Sequence, residues 1–160
     1  MIAFAMSVSI GQKDYRDSGH ERLREAGVLL NRELYAGAVY LGGRAVESML
    51  RALAWKGDPD LRAGRKSLET GHDLLELLWL VRNLGLLSDR DPDVVLAAGV
   101  QIVGRLWFNN MRFASTAKLK SVWWDRGEIG RKRVLKAAAA EFYEACSAVI
   151  KRCEVLYAKA

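Results

Sequence analysis

Apolar side chains recur along this chain every three or four residues, which is the period of an α-helix and not the alternation of a strand. The longest such run covers residues 36–56, where Ala38, Val39, Gly42, Ala45, Val46, Met49, Leu50 and Leu53 share one face. Tyr40, Arg44, Glu47 and Arg51 form its outer stripe. The pattern predicts a helix over about 33–55, and Gly42-Gly43 inside it reads as a close helix crossing. Upstream, Ser18 and Glu21 have capping-box spacing, in which a hydroxyl and a carboxylate reciprocally satisfy free backbone N–H groups. A first helix over about 19–31 follows, with Leu23, Ala26, Leu29 and Leu30 on its inner face.

Gly57-Asp58-Pro59-Asp60 ends the second helix, because proline cannot continue it, and a loop to Thr70 is expected. Gly71-His72-Asp73 then opens a third helix over about 71–84, with the acid in the first turn complementing the helix dipole. Asp91-Pro92-Asp93 opens a fourth, reaching about residue 107. Between 94 and 106 only Gln101 and Arg105 are clearly polar, so this helix is expected to be covered on most sides, centrally or at a dimer interface. A last helix over about 131–158 carries Leu135, Ala138, Phe142, Cys146, Val149, Cys153 and Leu156 at helical spacing. The expected fold is all-α, an antiparallel up-and-down bundle of four to five helices. Residues 1–17 read as an N-terminal arm and 18–160 as one bundle domain.

With 160 residues and 51% hydrophobic composition, the chain can bury one substantial core. Cys146 and Cys153 are seven residues apart on one helix, about 10 Å along its axis, too far for a disulfide. Reduced thiols fit a cytoplasmic location. The apolar N-terminus has no basic leader and breaks at Gly11, too short to cross a membrane, and no membrane partner is expected.

The net charge of +6 resides in residues 112–136, where eight cations face Asp125 and Glu128. Because that segment also carries Phe113, Trp123 and Trp124, it has the composition of a nucleic-acid contact. It equally fits a solvated loop whose tryptophans anchor it to the core. Trp107, Asn109, Asn110, Arg112, Lys118, Lys120, Arg131, Lys132 and Arg133 are the candidate contacts for RNA or a nucleotide.

Three strings in order, ESMLRAL from Glu47, GHDLLELL from Gly71 and WFNNMRF from Trp107, resemble the HEPN family of small helical domains. The resemblance implies a homodimer that works in a toxin–antitoxin pair beside a minimal nucleotidyltransferase, or in RNA defence. The family's metal-independent ribonucleases pair an arginine with a histidine that follows after four to six intervening residues. Arg112 is the nearest candidate by position, yet no histidine follows it. Arg65 has the right spacing to His72, but at the entry to the third helix.

The expectation is therefore a protein that binds RNA or nucleotide, or docks a nucleotidyltransferase, without that pair. The alternative is a divergent metal-independent ribonuclease toxin using His72 with Arg65 or Arg112. His72 is expected mainly to hydrogen-bond near its helix start, and His20 to face solvent. The stripe of Arg44, Glu47 and Arg51 reads as an exposed or interfacial ion-pair ladder, with a polar site as the other reading. Neither metal ligands nor a cofactor motif is recognisable, so no metal and no cofactor is expected.

Overall fold

The long apolar run forms the centre of the molecule in a computed structural model that describes residues 9–68, 71–87 and 94–160. It is helix α2 (Tyr35–Gly57), against which most other helices pack. Before it lies α1 (Gln12–Asn31), and after it come α3 (Pro59–Arg62), α4 (Leu74–Asn83) and α5 (Val94–Leu106). A 3-10 turn (Asn109–Phe113), α6 (Thr116–Asp125) and α7 (Leu135–Lys159) complete the order. Among the described residues there is no strand, so the molecule is all-α. No described helix is long and apolar enough to cross a membrane.

Several expected boundaries move. The first helix starts at Gln12, not at the Ser18 capping box, because the Gly11 N–H donates to the Asp14 carboxylate at 2.8 Å and closes an earlier first turn. Ser18 is consequently an interior helical residue. Within the expected 58–70 loop, Asp58 caps the single-turn α3 by accepting from the N–H groups of Asp60 and Leu61, and Lys66 pairs with the same carboxylate. The third helix begins at Leu74, with Asp73 as its cap and not as a first-turn residue. Asp73 Oδ1 accepts from Leu75 N at 2.8 Å and Glu76 N at 3.2 Å. Thr70 and the Asp91-Pro92-Asp93 opening, like residues 1–8 of the expected arm, lie outside the described residues.

The stretch between the expected fourth and last helices contains the 3-10 turn and α6, and α7 starts at Leu135, later than the expected 131. Ser115 supplies the physical reason for α6, since its hydroxyl accepts from Lys118 N at 3.1 Å. α7 lies against α2 and α5, while α4 packs on α2 and α5. Gly42 makes the expected close crossing, with α7, where a Cβ would sit 3.1 Å from Phe142, whereas Gly43 faces a side chain just beyond α5, where a Cβ would sit 2.2 Å from the Trp107 ring. Cys146 and Cys153 are free and buried in this core, and burial pushes the Cys146 thiol well above its ordinary pKa.

Of the two expected ways of covering helix α5, central burial does not hold. The helix buries Leu96, Gly99, Val100, Val103 and Leu106, yet Val94, Val95 and Ile102 are exposed, because its neighbours cover one face only.

Candidate nucleic-acid interface

Two buried indoles place the chain segment that follows α5. Trp107 fills the notch left by Gly43 and donates from Nε1 to the Tyr40 carbonyl at 3.1 Å. Trp123, fully buried on α6, donates from Nε1 to the Leu106 carbonyl at 3.2 Å. These two bonds satisfy buried indole donors while tying the end of α5 to both α2 and α6. The 3-10 turn is thereby held beside α6, and the two enclose a groove of about 790 Å³.

The groove is lined by Phe108, Asn109, Asn110, Met111, Phe113, Ala114, Lys118, Leu119, Val122 and Arg126. Its chemistry is aromatic and cationic. The Arg126 guanidinium lies 4.1 Å from the Phe108 ring centroid while donating to the Arg105 carbonyl at 2.9 Å, and Arg112 lies 4.7 Å from the Phe113 ring. Phe113 is 79% exposed, an unusual position for a phenyl ring, and Lys118 is exposed beside it. The volume falls within the range of about 300–1,000 Å³ typical of small-ligand sites.

A second hollow of about 330 Å³ adjoins the first, sharing Phe108 and Asn109, and is bounded further by His72, Asp73, Leu74, Leu75, Gly104 and Trp107. Behind it sits a buried polar cluster on α2. Glu47, whose side chain is only 2% exposed, accepts from Arg44 at 2.6 Å and from Arg51 Nε at 2.9 Å, and its Oε1 lies 2.9 Å from His72 Nδ1. Arg51 also donates to the Gly71 carbonyl at 2.7 Å, tying α2 to the entry of α4. A carboxylate at that distance keeps a proton on Nδ1, so Nε2 is the ring nitrogen left for another partner. Arg44 lies 3.2 Å from the same Nδ1.

The stripe of Arg44, Glu47 and Arg51 is thus no exposed ladder. Its centre is buried because α2 is covered along most of its length, and Arg51 donates to the Leu68 and Gly71 carbonyls. His72 binds this cluster near its helix start, as its helix-entry position predicts. Arg65 lies elsewhere and binds Asp60 at 2.6 Å. Among the described residues, neither Arg65 nor Arg112 is a hydrogen-bond partner of His72. His20 is half exposed but does not simply face water: its Nε2 lies 2.8 Å from Glu154.

Of the candidate contacts, Asn109, Asn110 and Lys118 line the groove, and Arg112 flanks it through Phe113. Trp107 is buried and serves as a wall of the second hollow, not as an open stacking surface. Lys120, Arg131 and Lys132 are exposed but do not line either hollow. Arg133 is occupied by Glu141 and, at 3.6 Å, by Glu128. Phe108, Phe113 and Arg126 were not among the candidate site residues, although the WFNNMRF string contains both phenylalanines. The Phe108–Arg126 stacking joins residues far apart in the chain, and no spacing rule reveals it.

Among the described residues, no group of three histidine, cysteine or acidic side chains could hold a metal ion. No family model matches the chain, and neither a curated protein nor a solved structure matches it.

Proposed function

We propose that the chain is a HEPN-type helical domain that binds single-stranded RNA in the groove between the 3-10 turn and α6, without the family's arginine–histidine ribonuclease pair. In this reading α1, α2, α4, α5 and α7 are the five main helices of the bundle, and α6 is an addition that builds the groove. The single observation carrying the proposal is the combination of an exposed phenyl ring with surrounding cations in one hollow: Phe113, with Lys118, Arg112 and the Arg126 guanidinium stacked on Phe108. A base stacked on Phe113 contributes about 1–3 kcal/mol whatever its identity, and the cations offset phosphate charge by displacing counterions. The amides of Asn109 and Asn110 supply donors and acceptors for base edges.

Binding is favoured over cleavage by the separation of the required groups. His72 belongs to the Glu47 cluster, Arg65 to Asp60, and Arg112 to Phe113.

The test is fluorescence anisotropy with a labelled oligouridylate of roughly ten nucleotides, a length within the usual range for such grooves. The wild type should bind without marked sequence preference and leave the oligonucleotide uncut in EDTA. Phe113→Ala should weaken binding by roughly tenfold. Wild-type affinity in a Phe113→Ala, Lys118→Gln double variant would overturn the groove as the binding surface. Metal-independent cleavage lost in His72→Ala would put the ribonuclease reading in its place.

A further inference from the structure

The two hollows differ in charge. On the groove side of Phe108 and Asn109 stand Lys118 and Arg126, with Arg112 nearby, whereas the other side presents the Asp73 carboxylate and the His72 ring. A phosphate is favoured on the first side and repelled by Asp73 on the second. What the second side offers is two acceptors, the imidazole Nε2 left open by the Nδ1–H contact with Glu47 and the Asp73 carboxylate, which suit a neutral hydroxyl donating its proton and not an anion.

Both groups are held in place before any ligand arrives. Asp73 is oriented by two cap hydrogen bonds that fall on its Oδ1, and His72 is oriented by the buried Glu47 carboxylate at 2.9 Å from Nδ1. Gly104 opens the floor between α5 and α4, since a Cβ there would meet only Leu75 and Leu74, at 3.8 and 3.9 Å.

We infer that the His72–Asp73 hollow is a ribose-reading subsite, so that the ligand is an RNA strand spanning both hollows, at least two nucleotides long, and not DNA or a single nucleotide. This rests on the groove reading and deepens it. One nucleotide places its base and phosphate among Phe113, Lys118 and Arg126. The next, across the Phe108–Asn109 ridge, places its ribose at His72 and Asp73. The 2'-hydroxyl is the group by which a protein distinguishes RNA from DNA at a given position.

The experiment compares hexauridylate, its deoxy counterpart and uridine monophosphate on the full chain by anisotropy competition. The wild type should prefer the RNA hexamer over the DNA hexamer by up to about tenfold, the worth of one hydrogen bond. It should bind the monophosphate more weakly than either. His72→Ala, and separately Gly104→Leu, which fills the hollow without touching Glu47, should each reduce the RNA:DNA preference to about one. Phe113→Ala should weaken RNA and DNA alike and leave the preference intact, and circular dichroism verifies the fold of each variant. Equal wild-type affinity for RNA and DNA, or a preference surviving in both hollow variants, would overturn the ribose subsite while leaving the groove standing. Binding of neither hexamer would overturn both.

Discussion

Glu47 shows how much one buried carboxylate organises. It holds Arg51 and His72 at 2.9 Å and Arg44 at 2.6 Å, joining the middle of α2 to the residues that open α4. Removing it takes from the Arg51 guanidinium, 9% exposed, the buried carboxylate with which it is paired. Glu47→Ala is therefore expected to destabilise the fold by about 3–5 kcal/mol in urea titration. His72→Ala, at a side chain 47% exposed, should cost less than about 1 kcal/mol. The two glycines that face Trp107 and Leu75 make an independent contrast. At Gly43 a Cβ would overlap the Trp107 ring at 2.2 Å, so Gly43→Ala should cost about 1–3 kcal/mol or more. Gly104 has room for a methyl group inside a helix, so Gly104→Ala should be neutral or stabilise by up to about 1 kcal/mol.

At the scale of elements, α1 is clasped to α7 by Arg16 and His20 on Glu154, at 2.7 and 2.8 Å. The Arg16 hydrogen bond, with help from His20, pulls the Glu154 carboxyl from an ordinary 4.5 down to about 2. A lowered folded-state pKa means that the unfolded chain binds the proton more readily. The clasp is then fully stabilising above about pH 4.5 and is lost as the pH falls through about 2. Glu154→Gln should reduce stability at pH 7 by about 1 kcal/mol, discounted for the exposure of both partners, and flatten the stability profile between those pH values. Thermal melts across that range read both effects. On α5, Val94, Val95 and Ile102 are open, and the homodimer expected from the sequence is predicted to cover them. Sedimentation equilibrium is expected to show a dimer that Val95→Glu with Ile102→Glu returns to monomer.

For the whole molecule, the cations behind the +6 charge include some already paired, some that line the groove, and some, such as Lys120 and Lys132, that are exposed away from it. Arg133 pairs with Glu128 and Glu141, and Lys136 with Glu33, whereas Lys118 and Arg126 line the hollow. Each phosphate contact on a single strand contributes about 0.7 to the slope of log affinity against log salt. Lys118→Gln with Arg126→Gln should accordingly lower that slope by roughly 1.4, whereas Lys120→Gln with Lys132→Gln should change it far less. A salt titration of oligouridylate binding distinguishes them. An equal loss in both pairs would show that the charge acts as a diffuse field and not through the groove.

Local sequence was sufficient where neighbouring residues decide the outcome. The helical period of α2, the late core positions of α7 and the close approach at Gly42-Gly43 are all legible because they depend on side chains three or four positions apart, or on the absence of one. Local chemistry misled at Ser18, where a valid capping pair lost to the Gly11–Asp14 turn upstream. The basic aromatic segment left two readings open, and what tertiary packing decided is burial alone: Trp123 is sealed in the core while Phe113 and Trp124 remain exposed. The same packing turned an apparent surface ladder into the buried Glu47 cluster and drew Arg126 over Phe108. These outcomes depend on which element covers which face, and that information resides in contacts between residues far apart in the chain.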